Sequence, residues 1–450
     1  MSEFIEEHWV WSSIIPVGII IAVLMITNSV IEFTNGILPL VYKIVFVLSP
    51  IFIPIILIYI AVRLWVRYVQ LKYISKLKSF LFEIKIPKDI QKSPLAMEII
   101  FAAMQASGAA TYTEAYLDGK VRGWFSLELA SIEGQIHFYI WSSEPKFKKI
   151  LEAQIYAQYP TVEIYEVPPE KDYVRLFNFD PLKHIIWGLQ FKLMKKDIYP
   201  IKTYVDYSMD KDQKDEYRID PMTAVLEFMG SATKGQQIWL QIMIKMHAPE
   251  GLKEHRLREK PNWEAEALDE IKDIKKKATP ETKGDFPGFP NMTKGQTETI
   301  AAIERSLSKM AFYTMIRGFY LADKDKFNPA YISGYIGAMR QYNSLTLNGL
   351  KMKAWTDVSD NYKDWSTLFP FLKPLIVKRK AKLTGLMFDA YRLRSFFYPP
   401  YQHYLQNPFI LNTEELATIY HFPGNVSATP TLTKIASKKS EPPANLPIKK

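Results

Sequence analysis

The chain has 450 residues, a formal net charge of +10 and 48% hydrophobic residues. It contains no cysteine, which excludes disulfides, thiol nucleophiles and thiolate metal sites. The basic excess favours an anionic neighbour, either phospholipid headgroups or nucleic acid, or keeps a protein soluble beside a membrane.

Two long apolar stretches open the chain. Ile14 to Ile31 is uncharged, and Ile44 to Val62 has about the ~20 residues that a helix needs to cross a hydrocarbon core. Arg63, Arg67, Lys72, Lys76 and Lys78 follow with no Asp or Glu among them, the mark of a cytoplasmic flank. A cleaved signal peptide fits poorly, because the N-terminus carries Glu3, Glu6 and Glu7 where a signal has basic residues. Trp9, Trp11, Tyr42, Trp65 and Tyr68 lie near the ends of the stretches, where amphipathic rings favour the headgroup layer. Pro50 and Pro54 are expected to kink the second stretch, and a re-entrant segment is the alternative to a full span. Residues 1–70 therefore read as a membrane anchor of two transmembrane helices. The expected location is the inner (cytoplasmic) membrane, with the large domain cytoplasmic.

Residues 78–170 read as a first α+β module. Phe82, Ile84 and Ile86 alternate with charged neighbours along a half-buried strand. Ser93-Pro94 opens a helix that Gly108 closes. Phe125, Leu127 and Leu129 mark a second strand and Ile136, Phe138 and Ile140 a third, with Glu133-Gly134 at the turn. Phe147, Ile150, Leu151 and Ile155 share one face of a further helix, and Val162 to Val167 supplies the last strand. The order β-α-β-β-α-β is the ferredoxin-like plan.

The same order is expected across residues 185–357. Tyr199 to Tyr207 is the candidate first strand, and Asp220-Pro221 starts a helix. Ile238, Leu240, Ile242, Ile244 and Met246 alternate along the second strand, and residues 311 to 320 form the third. Asn328-Pro329 opens the second helix, and Leu350 to Trp355 is the fourth strand. A charged insertion, about 248–310, carries helices at Trp263 to Lys277 and around Thr297 to Lys309. The fold class is thus α+β: a transmembrane helical hairpin followed by tandem ferredoxin-like modules. Residues 358–422 form an aromatic and basic segment with a short capped helix at Thr413 to His421. Residues 423–450, rich in Pro, Ser, Thr and Lys, read as a disordered tail.

Catalytic signatures are missing from the sequence. No G-x-x-x-x-G-K-[ST] loop occurs; Thr233-Lys234-Gly235 and Thr293-Lys294-Gly295 have the order wrong. G-x-S-x-G, H-E-x-x-H and G-x-G-x-x-G are likewise absent. His247 and His255 flank a loop and do not share a helix face, so no metal and no cofactor is expected. The chain reads as a non-enzyme. Arg317-Gly318-Phe319-Tyr320 lies on a strand where RNA-recognition sheets carry base-stacking residues, but an ordinary buried strand explains it better. Lys378, Arg379, Lys380 and Lys382, followed by Arg392, Arg394, Phe396, Phe397 and Tyr398, interleave basic groups with aromatics. That pattern suits phosphate contact with base stacking, and it suits lipid headgroups equally.

Several phrases carry a family resemblance: Lys92 to Ile99, Trp124 to Leu129, Glu152 to Pro160, Tyr199 to Tyr207, Tyr391 to Pro400, Thr413 to Gly424 and Glu441 to Pro447. Together they resemble an uncharacterised membrane-anchored family of candidate-phylum bacteria, found beside or fused to conjugation-type DNA-pumping ATPases. The stretch from Thr413 to Pro447 is similar to the segment leading into the motor of type IV secretion coupling ATPases. No motor follows here, so the resemblance implies one supplied by a separate P-loop ATPase chain. It implies an anchor or adaptor of a type IV secretion or conjugative DNA-transfer machine, with DNA as a further contact. The rival readings are a membrane-tethered nucleic-acid-binding protein acting without an ATPase and an enzyme of unrecognised type. Sheet edges in such modules suit strand addition by partners or by copies of the chain, hence a homo-oligomer.

Overall fold

The computed structural model describes residues 37–87, 92–105, 110–211, 219–248, 263–278, 292–356 and 373–424. The first apolar stretch, Gly108, much of the charged insertion and the tail beyond residue 424 lie outside them. The chain divides into two compact units, Met1–Tyr68 and Val69–Lys450.

Helix α1 spans Ile37–Lys76. Its stretch Tyr42–Lys76 is long and apolar enough to cross a membrane, and Phe46 and Val47 are 65% and 70% exposed. Pro50 and Pro54 both lie inside the helix. Pro50 cannot donate to the carbonyl one turn back, and the Ser49 hydroxyl donates to that carbonyl, Phe46 O, instead at 2.8 Å. The neighbouring hydroxyl thus satisfies the backbone group that the proline frees.

The second unit is built on one mixed-length antiparallel sheet with helices on both faces. Its strands are β1 (Phe80–Lys85), β2 (Phe125–Ile132), β3 (Gln135–Ser142), β4 (Glu163–Glu166), β5 (His184–Leu193), β6 (Gln236–Met246), β7 (Ala311–Asp323), β8 (Leu350–Trp355) and β9 (Phe409–Asn412). The order across the sheet is β4-β1-β3-β2-β6-β7-β5-β8, with β9 pairing β7. Each half has the sequence order strand, helix, strand, strand, helix, strand, and the two halves join through β2 and β6. Antiparallel pairing there runs from Phe125↔Ile244 to Ile132↔Gln237. The halves share one continuous sheet in place of separate cores.

One face of the sheet carries the alternating apolar residues read from the sequence, among them Phe82, Leu127, Phe138, Leu240 and Ile316. Against them pack α2 (Leu95–Ala103), α4 (Phe147–Gln158), α6 (Pro221–Gly230), α9 (Ala330–Met339) and α11 (Thr413–Ile419); the short α3 (Tyr112–Tyr116) lies between α2 and β2 in the chain. The opposite face carries Leu81, Tyr139, Trp141, Trp239, Met243 and Phe319. It is covered by α5 (Tyr173–Leu176), α7 (Trp263–Ala278), α8 (Lys294–Leu307), the C-terminal half of α10 (Lys373–Arg392) and the segment through Phe396 and Phe397. Burial on both faces explains why β6 and β7 are apolar almost throughout.

Two sequence expectations change. The first strand of the second half is β5, His184–Leu193, and not Tyr199 to Tyr207. The latter stretch has alternating apolar residues, but it pairs with no strand, and two of its backbone N–H groups go to side chains of α11: Ile201 N donates to Glu415 Oε1 at 2.8 Å and Tyr204 N to Thr418 Oγ1 at 2.9 Å. A helix therefore takes the place of a strand partner. The aromatic segment after residue 358 also contributes a strand, β9, which lies beside β7 at Ala311–Thr314 beyond the end of β5.

Candidate functional site

The second face of the sheet holds a transverse row of polar residues set by register. Glu83 on β1 lies opposite Tyr139 on β3, Tyr139 opposite Glu128 on β2, Glu128 opposite Gln241 on β6, and Gln241 opposite Arg317 on β7. Gln190 on β5 completes the row. Glu128, Gln241, Arg317 and Gln190 are buried, and Asp172, Tyr173, Tyr391 and Arg394 close over them from loops and helices.

Arg394 is the hub. Its Nε and Nη2 donate to the two oxygens of Glu128 at 2.8 and 2.9 Å, and its Nη1 and Nη2 donate to those of Asp172 at 2.7 and 3.1 Å. Both pairs are bidentate, the geometry in which a planar guanidinium and a carboxylate match best. Arg394 itself has φ 48°, a left-handed conformation that costs a non-glycine residue energy. Its carbonyl accepts the Trp124 indole N–H at 2.9 Å. Burial works against the Arg394 charge, and the adjacent carboxylates outweigh it, so its pKa is raised well above the ordinary arginine value.

Glu128 has no oxygen to spare. Oε1 accepts from Ser126 at 2.6 Å and Gln241 at 2.7 Å, and Oε2 accepts from the Tyr173 hydroxyl at 2.9 Å, besides the two bonds from Arg394. Gln241 passes the polarity on, since its Oε1 accepts from Arg317 Nε at 2.6 Å. Arg317 otherwise donates to neutral groups, Ala390 O at 2.8 Å and Ser395 O at 3.3 Å, and its guanidinium lies over the Tyr391 ring. Burial pushes Arg317 down to about 9, leaving it cationic at neutral pH. Burial also holds the Tyr173 and Tyr391 phenols well above their usual range. Two acids and two bases balance, and Glu128, Asp172, Arg394, Gln241 and Arg317 bond to one another and to their own chain, while Gln190 Oε1 at the end of the row accepts no bond. The arrangement fastens the segment around Arg394 to the sheet.

A second buried polar cluster fastens α11 on the other face. Glu98 accepts from Tyr204, Lys309 and Thr413, at 2.9, 2.6 and 3.3 Å. Glu414 accepts from Thr203 at 2.6 Å and pairs with Arg305 at 3.2 Å. Glu415 is fully enclosed; burial raises its pKa to about 8 against the pull of the Asn412 and Ile201 N–H donors.

Open cavities occur among the described residues. One of about 540 Å³ borders the Arg394 network and is lined by Trp141, Asp172, Arg175, Arg392 and Arg394 among others. Another, about 660 Å³, is lined by Lys192, Lys195, Lys353, His403 and Gln406 among others. Among the described residues no cluster of three or more His, Asp or Glu side chains is placed to hold a metal.

The structure separates the residues singled out in the sequence. Lys378, Arg379 and Lys382 are exposed on the N-terminal half of α10, Lys380 is half-buried beside them, and Arg392 is exposed at the helix end. Arg394, Phe396 and Phe397 are buried, at 3%, 1% and 2% exposure. They cannot meet phosphate or stack on bases, because Arg394 holds the two carboxylates and the rings fill the core. Arg317, Gly318, Phe319 and Tyr320 do lie on β7, facing the interior. Arg63, Arg67, Lys72, Lys76 and Lys78 are exposed. Sequence reading passed over Glu128, Asp172, Tyr173 and Gln241. Glu128 on β2 and Gln241 on β6 did leave a signal, each a polar residue between apolar neighbours on a strand, whereas Asp172 and Tyr173 lie on no strand.

The model of one family, the domain of unknown function DUF8128, matches residues 120–433. No curated protein matches the chain. The matched stretch begins after α1, β1 and α2 and includes Glu128, Asp172, Gln241, Arg317 and Arg394. It covers more than half of the sequence, and the chain therefore belongs to the DUF8128 family.

Proposed function

We propose that this protein is a non-enzymatic membrane anchor and adaptor that docks a separate P-loop ATPase in a type IV secretion or conjugative DNA-transfer machine. The observation that carries the adaptor reading is chemical. The buried charged cluster, Glu128–Arg394–Asp172 with Gln241 and Arg317, is saturated by its own chain and holds a scaffold together. The apolar helix α1 supports anchoring in the inner membrane, with the α+β unit on the cytoplasmic side in keeping with the basic flank. The mirrored strand orders β4-β1-β3-β2 and β8-β5-β7-β6 support reading the two halves as fused ferredoxin-like modules. The identity of the partner rests on the family resemblance of the sequence.

The test is affinity purification of the tagged, detergent-solubilised full chain from its native cells, with quantitative mass spectrometry. Stoichiometric recovery of a P-loop ATPase is the expected result. Recovery of DNA and DNA-binding proteins without an ATPase would favour the tethered nucleic-acid receptor, whose affinity must then fall steeply with salt. That rival has lost Arg394, Phe396 and Phe397 to the core.

A further inference from the structure

Helix α10 is two different surfaces end to end. Its C-terminal half sends Thr384, Met387, Phe388 and Tyr391 into the protein, while its N-terminal half leaves Leu375 60% and Val377 65% exposed. Basic residues share the face of Leu375, and Val377 lies on the other side of the helix. Leu375, Lys378, Arg379 and Lys382 fall at i, i+3, i+4 and i+7 and so share one face of the helix. No acid occurs from Lys373 until Asp389. Every charged side chain in the exposed half is therefore basic.

The aromatic residues decide between the two anionic partners that the sequence leaves open. Single-stranded nucleic acid is held by phosphate contacts together with stacking on exposed rings, and here Phe388, Tyr391, Phe396 and Phe397 are all inside the core. The exposed Leu375 on one face with Lys378, Arg379 and Lys382 fits the boundary of a bilayer instead, where an aliphatic group enters the acyl layer and the cationic groups stay with the phosphates. We infer that the N-terminal half of α10, residues 375–382, binds the surface of an anionic phospholipid membrane. This inference rests on the membrane-anchored part of the reading above and is independent of the ATPase.

The absence of cysteine makes a clean test. Leu375→Cys in the full chain is spin-labelled and the protein is inserted into nanodiscs of phosphatidylcholine alone or with phosphatidylglycerol. Accessibility to oxygen and to a polar nickel chelate is then compared, with a label at Leu345→Cys, a fully exposed position, as the aqueous reference. The inference expects the Leu375→Cys label to become oxygen-accessible and chelate-protected only in the anionic discs. The Lys378→Glu/Lys382→Glu background should reverse this, shifting the bound-to-free ratio roughly thirtyfold at ~1 kcal/mol per basic residue. A label that stays water-like in both lipids overturns the inference, as does one protected equally in both, or one protected by duplex DNA and not by lipid. A chain that does not enter nanodiscs at all would overturn the anchoring itself, an outcome distinct from the others.

Discussion

At the scale of residues, the second unit holds buried charges that must stay paired. Arg394 holds two carboxylates at once, in a left-handed backbone conformation and at 3% exposure. Removing the guanidinium strands Glu128 and Asp172 in the core, and breaking a buried pair in this way costs about 3–5 kcal/mol. Arg394→Ala is expected to lower the unfolding free energy of the detergent-solubilised protein by that amount, read from denaturant titration. Replacing Glu128, Asp172 and Arg394 together by apolar residues of similar size should recover most of the loss; failure to recover would mean that the network does more than fill and fasten. Glu415 gives a pH prediction. Its folded pKa of about 8 lies above the ~4.3 of an exposed glutamate, so the folded state keeps a proton that the unfolded chain has released. The stability linked to it is complete below pH ~4 and is lost as pH rises through about 8. Unfolding midpoints between pH 5 and 8 should fall in the native chain and fall less in Glu415→Gln. An equally steep fall in the variant would remove Glu415 as the cause.

At the scale of elements, local chemistry was legible where cap and period agreed. Asp220 accepts from Met222 N at 2.7 Å at the start of α6, and Asn328 from Ala330 N at 3.0 Å before α9, as their Asx-Pro sequences imply. β6, α7 and β8 also lie where the pattern put them. The misses share a cause: pairing with sequence-distant groups overrides local alternation. Tyr199 to Tyr207 has a strand's pattern, but its Ile201 and Tyr204 N–H groups are taken by side chains of α11, more than two hundred residues on. The candidate basic-aromatic site came apart for a similar reason. Its aromatics follow the buried face of α10 and the loop beyond it, while its lysines precede them on the exposed half. α11 itself depends on its cap. Asn412 accepts from Glu415 N at 2.8 Å and donates to Ser306 Oγ at 2.8 Å, and Glu415 returns a bond from Asn412 N. Asn412→Ala should cost about 1–2 kcal/mol and speed hydrogen exchange across residues 413–420 ahead of the rest of the sheet. Uniform loss of protection would contradict a local cap role.

At the scale of the whole molecule, the two pattern repeats are one body from Val69 onward, sharing a sheet and both of its cores. That unity explains why the charged insertion is tolerated: α7 and α8 pack onto the second face without interrupting the pairing of β6 with β7. It also limits where a partner can add a strand. In the sheet order the outermost strands are β4 and β8. β4 is short and carries Glu163 and Glu166, while β8 exposes Lys351 and Lys353. Short and charged edges discourage indiscriminate pairing, so a docking partner must complement opposite charges at the two ends. The adaptor proposal is tested most directly in living cells, with a photo-cross-linking amino acid placed at Tyr165 on β4 and at Lys353 on β8 of the full-length chain. The account predicts a discrete adduct from at least one of these positions, containing peptides of a P-loop ATPase. Adducts confined to copies of the chain itself, or to DNA-binding proteins with no ATPase at either position, would contradict it.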